Sequence, residues 1–127
     1  MKKNITTEKA PQPIGPYNQA IVFNNMVFTS GQIAINLETG NLIKASIEEE
    51  TILVMEHLSE ILQAANSNFE NVIKVSIFVK DMQDFDAINA VYAAYFEDML
   101  APARETVQVV QLPKNANVEI SMIAAVN

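Results

Sequence analysis

The chain has 127 residues, half of them hydrophobic and 18% charged, with a net charge of −7 and no cysteine. Such a length and composition fit one globular domain spanning residues 1–127 and exclude a disordered chain. The missing thiols exclude disulfides, thiolate metal sites and cysteine nucleophiles, and the acidic balance is poorly suited to nucleic-acid phosphates, so no nucleic-acid partner is expected.

No apolar run reaches membrane-spanning length, and the polar stretch from Met1 to Glu8 lacks the apolar segment of a secretory signal. A cytoplasmic protein without a membrane partner is the expectation. Three prolines and a glycine between Glu8 and Asn18 rule out a helix interior and leave a stiff, extended lead-in to Tyr17. Tyr17 is either a cover for the core or a phenol held in place by Gly15-Pro16. Apolar runs from Gln19 to Phe23 and from Met26 to Ile35 flank Asn24-Asn25, which reads as a β-hairpin because Asn tolerates the positive φ of tight turns. The second run contains Ser30-Gly31. A glycine there marks a bulge or a close backbone approach, with an unobstructed N–H beside a hydroxyl.

Asn36, Thr39, Gly40 and Asn41 supply turn chemistry. Ser46-Ile47-Glu48-Glu49 is a capping box opening a helix to about Ala65, with Asn66 as its left-handed terminator. The helix's apolar stripe is Ile47, Val54, Leu58, Ile61, Leu62 and Ala65. His57, the one histidine, lies off that stripe and reads as solvent-facing. One histidine and no cysteine leave no nitrogen or sulfur metal cluster and no histidine-based triad, so no metal is expected. Asn71 to Val79 reads as a strand. Asp81 or Asp84 caps a second helix with a stripe of Phe85, Ile88, Tyr92, Tyr95, Phe96 and Met99. Asn89, one step off the stripe, is either plainly exposed or an amide at a cleft edge.

Pro102 ends the helical pattern and biases Ala101 to extended backbone. Arg104 therefore falls between a helix and a strand, flanked by small residues. Its guanidinium is a rigid fork matching a carboxylate bidentately. The alternative on spacing alone is an ordinary surface arginine paired weakly with Glu105. Strands follow at Glu105 to Leu112 and Val118 to Val126. The loop Pro113 to Asn117 is of hairpin type and makes them antiparallel neighbours. The last strand is nearly all apolar and reads as buried on both faces. Glu119 at its mouth is either solvated or held in a pocket where it orients water. The order β-β-α-β-α-β-β gives an α+β domain, a mixed β-sheet with two helices on one face.

Taken together, Ile14 to Ala20, Val27 to Ile33, Phe78 to Met82, Asn89 to Tyr92, Ala101 to Arg104, and Leu112 to Lys114 with Val118 to Ile120 resemble the RidA/YjgF family across almost the whole chain, in order and spacing. The resemblance implies a chorismate-mutase-like α+β fold and a homotrimer with clefts between subunits. It also implies an enzyme that needs no cofactor and hydrolyses reactive 2-imino acids and their enamine tautomers, such as 2-iminobutanoate and 2-iminopropanoate, to 2-oxo acids and ammonia. Arg104 would clamp the substrate carboxylate, helped by a backbone N–H near Thr106. Glu119 would orient or deprotonate the attacking water, and Tyr17 would relay a proton to nitrogen. Ser30, Gly31 and Asn89 would line the pocket. A non-catalytic protein that binds 2-oxo acids and regulates branched-chain amino-acid metabolism is the alternative, using the same Arg104. Some relatives are described as translation inhibitors or ribonucleases, which the acidic charge argues against. The chain departs from the usual pattern at Glu105, Thr106, Asn18 and Gln108. No thiol is available beside the clamp, so contacts there fall to the backbone.

Overall fold

A computed structural model describes residues 1–127. Strands β1 (Lys3–Ile5), β2 (Ala20–Phe23), β3 (Met26–Thr29), β4 (Val72–Val79), β5 (Ala103–Gln108) and β6 (Val118–Ala125) form one mixed sheet. Its spatial order is β1-β2-β3-β6-β4-β5. Helices α1 (Ile47–Ala64) and α2 (Phe85–Ala94) cover one face, giving the expected α+β architecture. The expected order is preceded by the edge strand β1, which pairs with β2 and left no signal in the polar start of the chain.

Local chemistry explains the elements. Asn24 and Asn25 adopt φ of 51° and 59°, the left-handed turn that matches strand twist in a hairpin. Ser46 Oγ accepts the Glu49 N–H at 3.1 Å, capping α1, and Glu48, Glu49 and Glu50 sit at the positive end of its dipole. Asn66 terminates that helix at φ 57°. Val54, Leu58, Ile61 and Leu62 of α1 are fully buried together with Val75, Ile77 and Val79 of β4 and Val118 and Ile120 of β6. Removing one such side chain, as in Leu58→Ala, costs about 2–5 kcal/mol.

Several expectations are corrected. β5 and β6 are not antiparallel neighbours. β5 lies parallel to β4 at the sheet edge, reached through the α2 crossover. β6 inserts between β3 and β4, antiparallel to both. The apolar strand takes the central position, where it buries most, and the more polar Ala103–Gln108 takes the edge. β6 is not buried on both faces within the chain. Val118, Ile120, Met122 and Ala124 are buried, while Glu119, Ser121, Ile123 and Ala125 alternate with them and are only partly covered. The run from Met26 ends as a strand at Thr29, and Gln32 rejoins the sheet as an isolated bridge to Ile120. α2 stops at Ala94, short of Met99, and Asp98 reverses the chain at φ 59°.

His57 is not solvent-facing: it is 2% exposed. Residues 33–43 fold across that flank of α1, held by the Ile43 N–H to Ala34 carbonyl bond at 2.9 Å. His57 Nε2 lies 2.9 Å from the Ile35 carbonyl oxygen, a hydrogen bond in which the ring nitrogen donates. Burial lowers the pKa of the ring against the opposing pull of that carbonyl. An apolar stripe marks one buried face of a helix; here a loop covers a second.

Candidate active site

The residues singled out in the sequence form two groups. The first is built where β3 and β6 meet the proline-rich segment. Gln19 is 2% exposed and fastens that segment: its amide N–H groups donate to the carbonyls of Thr7 at 3.0 Å, Ala10 at 3.2 Å and Pro11 at 2.8 Å. Tyr17 is half-exposed, and its N–H donates to the Gly15 carbonyl at 2.8 Å. Ser30 Oγ donates to the Asn18 carbonyl at 2.5 Å, and Ser30 N–H to the Gln19 carbonyl at 2.9 Å. Tyr17, Ser30, Gly31 and Glu119 thus line one cleft of about 660 Å³.

Gly31 has a steric reason to be glycine. A Cβ there would lie 2.6 Å from Glu119 Oε2, 2.7 Å from Cδ and 2.9 Å from Cγ. The Glu119 side chain therefore packs on the bare Gly31 backbone, and its partial burial raises its pKa above the ordinary carboxylate value. Sequence reasoning missed two further features of this cleft. Lys114, also lining it, is held left-handed at φ 54°, uncommon for lysine. Glu50, 1% exposed, accepts both the backbone N–H of Asn117 at 2.9 Å and its side-chain N–H at 2.7 Å. That tie from α1 fixes the chain two residues before Glu119, and no local pattern announces it.

The second group surrounds Arg104. Nη1 donates to Asn89 Oδ1 at 2.6 Å, so Asn89 holds the guanidinium rather than standing alone at a cleft edge. The guanidinium carbon lies 5.1 Å from the Tyr92 ring centre and 5.6 Å from that of Phe85. Burial raises the Tyr92 pKa, partly offset by the Arg104 charge, so the phenol stays neutral beside the cation. Glu105 does not pair with Arg104. It takes the Lys74 ammonium at 2.9 Å and the Ser76 hydroxyl, which lower its pKa, the Ser76 bond most. Thr106 Oγ1 is buried without a hydrogen-bond partner.

Register shows why the groups do not meet within one chain. Arg104 pairs with Val75 and Thr106 with Ile77, both buried under the helices. Residues in register share a face, so Arg104 and Thr106 lie on the helix side. Glu119 pairs with Phe78, one residue out of phase with Ile77, and lies on the opposite side. β4 separates the two strands as well.

A family model described as endoribonuclease L-PSP matches residues 7–126. The 2-iminobutanoate/2-iminopropanoate deaminase of Mus musculus is 40% identical over 124 residues, covering 98% of this chain and 91% of that protein. The chloroplastic Reactive Intermediate Deaminase A of Arabidopsis thaliana is 44% identical over 123 residues, 97% of this chain and 65% of that protein. Among solved structures, E. coli TdcF with bound serine superposes with a TM-score of 0.92 at 38% identity, covering 98% of this chain and 99% of that one. Similarity of this extent, over sequence and fold alike, places the chain in the endoribonuclease L-PSP family, the RidA/YjgF family that its motifs resemble.

Proposed function

We propose that this protein is a hydrolytic deaminase of 2-imino acids, working in clefts formed between copies of the chain. The observation that carries the reading is the division of the site. A cation with no carboxylate partner projects on one side of the sheet, and a partly buried carboxylate over a bare glycine projects on the other. Each is half of what imine hydrolysis needs. Named relatives are deaminases of this class, and one neighbour holds serine, a small amino acid.

In the proposed reaction Arg104 of one copy clamps the substrate carboxylate through parallel N–H bonds. Glu119 of another copy accepts a proton from water as its oxygen bonds to the imine carbon, and the C=N electron pair moves to nitrogen. Tyr17 relays a proton to that nitrogen. Glu119 passes the water's proton to the same nitrogen, and loss of the new hydroxyl's proton to the Tyr17 phenolate then breaks the C–N bond, releasing ammonia, leaving the 2-oxo acid and returning both side chains to their starting states. Ser30, Gly31 and Thr106 border the substrate, and Asn89 keeps the clamp in place. The partial burial of Glu119 suits it to accept a proton, because burial makes the carboxylate more basic.

Assembly is proposed through the sheet face turned away from the helices. Phe28 is 42% and Ile73 47% exposed there, with Phe23 and Val107 alongside, an apolar patch of the kind that marks interfaces. A homotrimer closes such a head-to-tail contact; sedimentation as a monomer would contradict it. No helix is long and apolar enough to cross a membrane. The compartment proposed is the cytoplasm, and enrichment elsewhere on fractionation would overturn it.

The test generates 2-iminobutanoate from threonine with a dehydratase and traps surviving imine with semicarbazide. The native chain should reduce the trapped product and Arg104→Ala should not. If neither competes with the trap, the catalytic reading fails. Arg104-dependent binding of 2-oxobutanoate without turnover would then favour the regulatory alternative.

A further inference from the structure

Arg104 stands on an edge strand, with Pro102 and Ala103 before it and Glu105 turned to Lys74 after it, so its chain neighbours do little to hold it. A free arginine side chain loses much rotamer freedom when it is fixed. Yet its guanidinium already touches three side chains of α2. Phe85, Asn89 and Tyr92 are spaced i, i+4 and i+7, one face of a helix. Both rings lie within the ~6 Å at which a cation is attracted to an aromatic face, at 5.6 and 5.1 Å, and the amide takes one Nη1 hydrogen.

All three holders are neutral. The single ion pair in the chain joins Lys74 to Glu105, which removes the adjacent carboxylate from competition. A carboxylate holder would have spent the arginine's charge; two rings and an amide orient it and leave that charge and four of its five N–H donors available. Tyr92 is 6% exposed, and its hydroxyl has no hydrogen-bond partner, so its contribution is the ring.

We propose that Phe85 and Tyr92, with Asn89 between them, form a preformed socket on α2 that aims the Arg104 fork, making the two aromatics positioning residues for the carboxylate clamp. The proposal rests on the clamp reading of Arg104 and adds to it that the fork is set before ligand arrives. Asn89 supplies direction and the rings supply restraint, so an aliphatic side chain of similar bulk does not replace either aromatic.

The experiment titrates 2-oxobutanoate calorimetrically into the native protein and into Tyr92→Phe, Tyr92→Leu, Phe85→Leu and Arg104→Ala. Tyr92→Phe should bind as native, because it keeps the ring. Tyr92→Leu and Phe85→Leu should each weaken binding on the order of tenfold. Loss of packing alone would lower the fraction of binding sites without changing their dissociation constant. Tyr92 also packs on Phe96 at 4.8 Å, so if Tyr92→Leu fails to fold, Phe85→Leu decides. Millimolar methylguanidinium should restore binding to Arg104→Ala by occupying the empty socket, and should not restore it to Arg104→Ala combined with Phe85→Leu. Native affinity in Phe85→Leu, or no rescue of Arg104→Ala, overturns the socket while the clamp stands. Native affinity in Arg104→Ala overturns the clamp itself.

Discussion

Replacing Gly31 by alanine tests the geometry of the Glu119 cleft with one methyl group. Gly31 has no positive φ among the backbone exceptions, so alanine suits its backbone and the perturbation is steric. Non-bonded carbon contacts settle near 3.5–4.0 Å, so a Cβ placed 2.6 to 2.9 Å from three Glu119 atoms requires them to retreat by about 0.6–0.9 Å. The backbone cannot open to make room, because Gln32 and Ile120 exchange N–H to carbonyl bonds at 2.8 and 3.1 Å directly beside the contact. Since Cγ is among the blocked atoms, the side chain must change rotamer or leave one, at about 0.5–1.5 kcal/mol. Gly→Ala recovers about 0.4–1 kcal/mol by restricting the unfolded chain, so stability should stay within ~1 kcal/mol and Tm within about 5 °C. Catalysis should suffer far more, because an ångström-scale displacement of a catalytic group costs on the order of 100-fold. The semicarbazide competition measures this, and 2-oxobutanoate affinity should fall far less than turnover because the Arg104 clamp is untouched. Native turnover by Gly31→Ala would refute the placement of Glu119 in the reaction.

Arg104→Lys should lose most activity on the same assay, because an ammonium lacks the planar fork and cannot sit between Phe85 and Tyr92 while presenting two parallel donors. Glu119→Gln should slow turnover by about 10²–10⁴. It should also melt higher than native at neutral pH. Burial raises the folded pKa of Glu119, so native stability falls as pH rises from about 4.3, the unfolded value, through the folded one. The gain should vanish near pH 4 in a melting series. His57 has the opposite sign. Its folded pKa is lowered, so native stability should fall as pH drops below about 6.5 and stop falling beneath the folded value. His57→Asn, an amide donor without a titrating ring, should flatten that part of the melting curve.

Most of the fold lies in local chemistry, and so was readable. Ser46 with Glu49, Asn66, and Asn24-Asn25 each act over a few residues, and each forms the cap or turn its chemistry requires. What was hidden depends on partners far along the chain. His57 is buried by a loop more than ten residues away in sequence, which its own helix cannot reveal. β6 inserts between β3 and β4, a choice made by sheet pairing that the Pro113–Asn117 loop does not encode. The site divides the same way. Arg104, Glu119 and Gly31 were singled out, but their placement on opposite sheet faces follows from register with Val75 and Phe78, which sequence spacing does not state. Phe85 and Tyr92 read as members of an apolar stripe and Asn89 as one step off it; that all three meet Arg104 follows from β5 running beside β4 and not beside β6.

The division of the site between copies is tested most directly by complementation. Arg104→Ala and Glu119→Gln proteins, each inactive, are unfolded, mixed in equal amounts and refolded together, and imine competition is measured. A site that takes Arg104 from one copy and Glu119 from another is intact whenever the two native halves meet. Random assembly of a closed ring makes this true of about a quarter of sites, so the mixture should recover about that share of native activity. A mixture as inactive as its parents, with both proteins refolded into the native assembly, would contradict a site shared between copies.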